Sequence, residues 1–248
     1  MRDLLPLLRE HAPRLGFSLT GEHLRQFQTY YEMLVDWNSR VNLTAITDYE
    51  GVQVRHFLDS LTVGSALLAE LSGEPPDGFR LLDIGAGAGF PSLPLKIAWP
   101  QMEVVLADSI GKKTAFLRAV VGELGLDSVE VLTERAEELG ADKRHREKYD
   151  AVTARAVASL PVLCEYCLPL GKVGGRMLAP KKGDISQELE QARKASKILG
   201  GSDPRVRSFT LPGEAGERYV IVMDKVRATP TGYPRRVGLA KARPLGGG

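Results

Sequence analysis

Cysteine is scarce in this chain: Cys164 and Cys167 are the only two among 248 residues. Two thiols cannot build the disulfide framework of a small secreted domain, and a zinc site would need further ligands that no second pair supplies. Set as C-E-Y-C within the apolar run 160–170, they read as small hydrophobes on a buried helix. Nor do they offer the cysteine nucleophile, beside proline in an active-site loop, that cytosine C5 chemistry would want. Long apolar runs are missing as well. None reaches the roughly 18 residues of a membrane-spanning helix. Arg9, Glu10 and His11 interrupt the N-terminus where a signal peptide would carry its apolar core. A cytoplasmic protein is expected. Finally, no charge sign dominates. The formal net charge is only +2, so a general basic field does not argue for an anionic partner. The imbalance is local: from Lys225 to the C-terminus there are six Lys or Arg and no Asp or Glu. Such a block is either a solvated tail or a phosphate-facing segment.

What is present starts with Leu81-Leu82-Asp83-Ile84-Gly85-Ala86-Gly87-Ala88-Gly89-Phe90. An apolar strand ends in an acid, and three alternating glycines then lead into a helix. Glycine accepts positive φ cheaply and lets a ligand lie directly on the backbone. The next apolar run, 104–107, ends at Asp108, where a strand-two acid reaches the hydroxyls of a bound ribose. A dinucleotide fingerprint would need G-x-G-x-x-G with pyrophosphate on the helix N-terminus. Here the third glycine comes one position early, and Asp83 suits an ammonium better than a phosphate. S-adenosylmethionine (AdoMet), with its ribose, sulfonium and cationic amine and no phosphate, fits that inventory better than NAD.

Residues 1–72 read as helical. Thr20 caps a helix carrying Leu24, Phe27, Tyr31, Leu34 and Val35 on one face, and Thr47-Asp48-Tyr49-Glu50 opens another as a capping box. After the turn-rich stretch 72–78, strands near 80–84, 103–108, 128–132, 149–154 and 174–179 alternate with helices near 91–98, 111–124, 135–139, 159–168 and 184–198. Runs 206–211 and 219–223 read as an antiparallel pair closing one sheet edge. The expectation is an α/β fold with a doubly wound, seven-stranded, mostly parallel sheet of the class I AdoMet-dependent methyltransferase type. An N-terminal helical extension (1–72), the core (73–226) and a basic C-terminal tail (227–248) divide the chain.

Several segments together resemble the RsmG (GidB) family. They are Val41-Asn42-Leu43-Thr44-Ala45-Ile46, Arg55-His56-Phe57-Leu58-Asp59-Ser60-Leu61, the glycine run with Phe90-Pro91, and Asp108-Ser109-Ile110-Gly111-Lys112-Lys113. Glu134-Arg135-Ala136-Glu137-Glu138, Thr153-Ala154-Arg155-Ala156-Val157-Ala158, Lys181-Lys182-Gly183 and Tyr233-Pro234-Arg235-Arg236-Val237-Gly238 follow in order. The resemblance implies an AdoMet-dependent enzyme forming 7-methylguanosine in the 530 loop of 16S ribosomal RNA, acting on that RNA, the 30S subunit or an assembly intermediate. A monomer is expected. Cofactor contacts are implied at Gly85, Phe90, Asp108, Ser109, Ile110, Ala136, Glu137 and Arg155. The residue-level reading adds Asp83, Gly87 and Gly89. His56 and Arg155 are candidates for positioning cofactor or base, although an ion-pair role suits Arg155 equally.

Guanine N7 has an in-plane lone pair and no proton, so methylation there needs no general base. The sequence agrees: after the fourth strand stands Thr153-Ala154-Arg155-Ala156, not an Asn/Asp-Pro-Pro-Tyr/Phe grip for an exocyclic amine. RNA would be held by phosphate contacts and base stacking. The candidates are Arg55, Lys112, Lys181, Lys182, Arg235 and Arg236, with Phe90 and Tyr233 as stacking platforms. From the residues alone, a methyltransferase for another nucleobase or a small molecule stays open, as does a non-enzymatic RNA-binding protein retaining the fold.

Overall fold

The computed structural model describes residues 4–247. Its strands are β1 (Arg80–Ile84), β2 (Glu103–Ala107), β3 (Val129–Leu132), β4 (Tyr149–Thr153), β5 (Gly171–Lys182), β6 (Arg205–Phe209) and β7 (Arg218–Asp224). They form one sheet in the order β3-β2-β1-β4-β5-β7-β6. β7 runs antiparallel to both of its neighbours, and the other pairings are parallel. This is the expected doubly wound architecture. β5 is longer than its sequence pattern, because its glycine-rich start still pairs with β4 and its end reaches Lys182 beside β7.

Parallel strands need crossovers, and helices fill them. They are α5 (Ser92–Ala98), α6 (Gly111–Glu123), α7 (Ala136–Ala141), α8 (Leu160–Cys167) and α9 (Ser186–Leu199). Alternate strand residues feed two cores. Leu81, Val104, Leu106 and Ala151 face the N-terminal helices, whereas Leu82, Val105, Ala107 and Val152 face the layer containing α8 and α9. Cys164 and Cys167 lie buried in α8 as free thiols; desolvation pushes Cys164 up to about 12 and Cys167 well above its ordinary value. Neither is a nucleophile at neutral pH.

The N-terminal layer comprises α1 (Pro6–His11), α2 (Gly21–Val41), α3 (Tyr49–Val52), a π-helical turn (Gln53–Leu58) and α4 (Asp59–Leu71). Thr20 caps α2 as expected: its hydroxyl accepts from His23 N at 3.2 Å while its own N–H reaches His23 Nδ1 at 3.3 Å. The buried stripe is Leu24, Phe27, Tyr30 and Leu34. This corrects the expected Tyr31 and Val35, which are half-buried and exposed. Steps of three, three and four residues follow the helical face more closely. The second cap is corrected too: Asp48, not Thr47, accepts from Gly51 N at 2.7 Å. These helices and the sheet share one hydrophobic core.

The C-terminal basic segment is packed. A short helix, α10 (Leu239–Ala242), lies against α8 with Ala240 fully buried. Among the described residues, no helix is long and apolar enough to cross a membrane.

Candidate active site

The turns after β1, β2, β3 and β4 open at the carboxyl edge of the sheet, where open α/β sheets hold their ligands. They surround a cleft of about 270 Å³. Gly85, Asp108, Ser109, Ile110, Ala136 and Glu137 line it, as the sequence leads one to expect. Gly85 stands at φ +69°, and a Cβ there would meet Val157 Cγ2 at 2.5 Å, so no larger residue fits. Asp108 is held by two backbone donors, Gly87 N to Oδ2 at 3.0 Å and Ile110 N to Oδ1 at 2.9 Å. Each oxygen keeps lone-pair capacity for a ligand hydroxyl. Ala136 and Glu137 form the first turn of α7, with Glu137 accepting from Gly238 N at 3.0 Å.

The other expected cofactor residues stand behind this wall. Asp83 is fully buried beneath the glycine turn, behind the residues that line the cleft. One of its oxygens accepts from Ser92 N at 3.3 Å, at the start of α5, and the other has no partner. Burial raises its pKa to about 8, against the opposing pull of the Ser92 hydrogen bond and the Arg155 charge. Gly87 orients Asp108, and Gly89 packs on Leu93 and Tyr30. Phe90 is buried at 7% exposure, stacked on His56 (4.5 Å, 14°) and Tyr30 (5.4 Å, 24°). That rules it out as a stacking platform for an RNA base in this conformation.

His56 and Arg155 meet beside Phe90. The π turn carries His56 inward, where Nε2 lies 2.8 Å from Thr44 Oγ1 and Nδ1 lies 3.0 Å from the Arg55 carbonyl. Desolvation, followed by the nearby Arg155 charge, lowers its pKa to about 4. The ring is neutral at physiological pH. Arg155 pairs with buried Asp59 at 3.0 Å, donates to the Arg55 carbonyl at 2.7 Å and lies 5.8 Å over the Phe90 ring. Asp59 also meets Arg218, which pairs with Glu214, which in turn pairs with Arg55. The ion-pair role of Arg155 is therefore real, and it fixes the guanidinium at the mouth of β4. Its Nη1 atom has no partner, nor does Thr153 Oγ1, whose strand position pairs with that of Asp83. Unpartnered buried polar atoms are rare, and these gather at the ends of β1 and β4.

The expected phosphate contacts divide. Lys112, Lys182 and Arg236 are exposed, and Tyr233 is half-buried. Lys181 is corrected: it pairs with Glu188 at 2.7 Å and donates to the Ala158 carbonyl, fastening the loop after β4. Arg235 is corrected likewise, since it grips Glu165, an acid 1% exposed, through both carboxylate oxygens. A buried carboxylate demands such a partner. Arg55 stays half-exposed while paired to Glu214.

Sequence reasoning missed Tyr30, whose hydroxyl donates to the Ala88 carbonyl of the glycine turn. It missed Asp59 as the partner of Arg155, and it missed Lys113, Tyr166 and Lys241 on the cleft wall. Asp59 had a signal, because it stands in the same short segment as His56. Tyr166 and Lys241 had none, because the topology alone brings them to the cleft.

A family model described as "GidB: rRNA small subunit methyltransferase G" matches residues 23–216. The chain is 49% identical over 230 residues to the ribosomal RNA small subunit methyltransferase G of Geobacillus thermodenitrificans, covering 93% of this chain and 94% of that one. It is also 49% identical over 241 residues to the protein of that name from a Roseiflexus species, covering 97% and 100%. Among solved structures, a SAM-dependent O-methyltransferase from Thermotoga maritima is similar with a TM-score of 0.50 at 17% identity, over 79% of this chain and 72% of that one. The CurJ carbon methyltransferase reaches 0.51 at 15% identity, over 82% and 70%. These structural likenesses establish the fold.

Proposed function

The chain belongs to the GidB family, rRNA small subunit methyltransferase G, and from that membership we propose that it uses AdoMet to methylate guanine N7 in the 530 loop of 16S ribosomal RNA. The observation that carries the cofactor reading is Asp108, held by Gly87 N and Ile110 N on the wall of the cleft. A carboxylate so oriented accepts from vicinal ribose hydroxyls and repels a phosphate. The residues present fit the group. Gly85, Ser109, Ile110, Ala136 and Glu137 would hold its nucleoside end, and the partnerless polar atoms of Asp83, Thr153 and Arg155 lie at the strand ends beyond.

When bound, the cofactor supplies a methyl group on a positively charged sulfur that leaves without acid assistance. The chain's task is then positioning and exclusion of water. His56, neutral and stacked on Phe90, gives a flat wall. Arg155, clamped by Asp59 and the Arg55 carbonyl, keeps one N–H group uncommitted near the reacting edge. No side chain is required to take a proton, because N7 carries none. Lys112, Lys182 and Arg236 supply phosphate contacts, and Tyr233 a ring for an unpaired base. A ribosomal RNA target implies action in the cytoplasm.

Mass mapping of small-subunit RNA from cells lacking the protein tests the assignment. One guanosine of the 530 loop should be lighter by one methyl group. An unchanged methylation pattern would refute it.

A further inference from the structure

The C-terminal segment does not trail from the sheet. It crosses the carboxyl edge as a strap held at successive points. Arg146 donates to the Thr229, Pro230 and Tyr233 carbonyls at 2.6–3.3 Å. Pro234 presses on α7, where a Cβ at Gly140 would meet its ring at 2.7 Å. Arg235 closes on buried Glu165 of α8. Gly238 N then donates to Glu137 Oε1 at 3.0 Å, and α10 follows with Ala240 fully buried. The next residue, Lys241, lines the cleft with Asp108, Ala136, Glu137 and Tyr166.

Resting on the AdoMet reading above, we propose that this strap is a wall of the cofactor site and that Lys241 is a cofactor-binding residue, its ammonium donating to the nucleoside end of the ligand. Two independent contacts support this. The hydrogen bond from Gly238 sets the Glu137 carboxylate, which belongs to the wall itself, and α10 adds Lys241 to a cleft whose charged lining is otherwise Asp108, Glu134, Glu137, Lys113 and Arg135. Lysine offers three donors and no acceptor. The ring nitrogens of adenine are acceptors, and Lys241 is the donor that the strap brings to this wall. The strap also joins the two halves of function. Arg236, exposed on it, stands among the phosphate candidates, so RNA gripped by the strap would press on the cofactor wall.

The test is calorimetric titration of the full-length protein with AdoMet and with S-adenosylhomocysteine. Because the contact is to the nucleoside half, Lys241→Ala should weaken both ligands by the same factor, about tenfold for one charge-assisted hydrogen bond. A chain ending at Gly232 should lose more. Lys241→Arg should recover most of the affinity, which a merely structural role in α10 would not require. Wild-type binding with unchanged affinity in Lys241→Ala overturns the strap proposal alone. Equal affinity in the shortened chain would do the same. Failure of the wild-type protein to bind either ligand overturns the proposal together with the cofactor reading beneath it.

Discussion

At the scale of single residues, the site separates atoms that face the ligand from atoms that hold those atoms in place. On the proposed cofactor reading, Asp108 belongs to the first group. Asp108→Ala should weaken AdoMet by at least tenfold in a binding titration, since two ribose hydroxyls lose a charged acceptor; unchanged affinity would show that the acid serves only the glycine turn. Asp83, which accepts from Ser92 N beneath the glycine turn, gives a pH signature. Its folded pKa is raised to about 8 from 3.8, so between roughly pH 4 and 8 the folded state binds more protons than the unfolded one. Its contribution to stability falls as pH rises through that window. Asp83→Asn should flatten that part of the curve in urea titrations at pH 5 and pH 8. His56 titrates near 4, so the methyl-transfer rate should show no inflection near 6.5, the ordinary histidine value. A histidine-shaped limb there would argue for a proton-shuttling role.

At the scale of elements, what the sequence made legible depended on local spacing. The strand-ending Asp83, the glycine run and Asp108 lie within 26 positions of one another, and their separation already described a nucleoside cleft. Individual strands were legible because alternate residues serve two cores. What the sequence hid was distant pairing. Lys181 and Arg235 look like surface cations until Glu188 and Glu165 are placed beside them. The swap between Tyr30 and Tyr31 is a 100° ambiguity that only packing against Phe57 and Phe90 resolves. Helix contacts can be tested in the same terms. At Gly64 of α4 a Cβ would lie 2.4 Å from Phe17, 2.6 Å from Leu95 and 3.0 Å from Trp99. Gly64→Ala should therefore destabilise by about 1–3 kcal/mol through overpacking. Melting would fall by roughly 2–4 °C per kcal/mol in a chain of this size. A variant as stable as the parent would mean that α4 and α5 can separate without cost.

At the scale of the whole molecule, near-zero net charge coexists with exposed cations at Lys112, Lys182 and Arg236. Lys112, Lys182 and Arg236 come from three separate segments, and with Lys181 paired to Glu188 and Arg235 to buried Glu165 they are the exposed cations left as candidates for phosphate contact on the proposed reading. Three contacts to single-stranded RNA predict a slope of roughly −2 in log affinity against log salt. Lys182→Ala should make it shallower by about 0.7, whereas a slope near zero would remove the phosphate-binding account. The fold itself is a frame for such encounters: the sheet's carboxyl edge supplies the cofactor cleft, the N-terminal layer supplies His56, and the strap supplies Arg236.

The central claim is methyl transfer to a proton-free ring nitrogen. An N7-methylated guanosine carries a quaternised ring that borohydride reduces and aniline then cleaves. Undermodified small subunits incubated with this protein and AdoMet should acquire a single such cleavage, at one guanosine of the 530 loop, and Asp108→Ala should fail to produce it at limiting cofactor. Incorporated methyl label with no aniline-sensitive site would place the group on another atom and contradict the account.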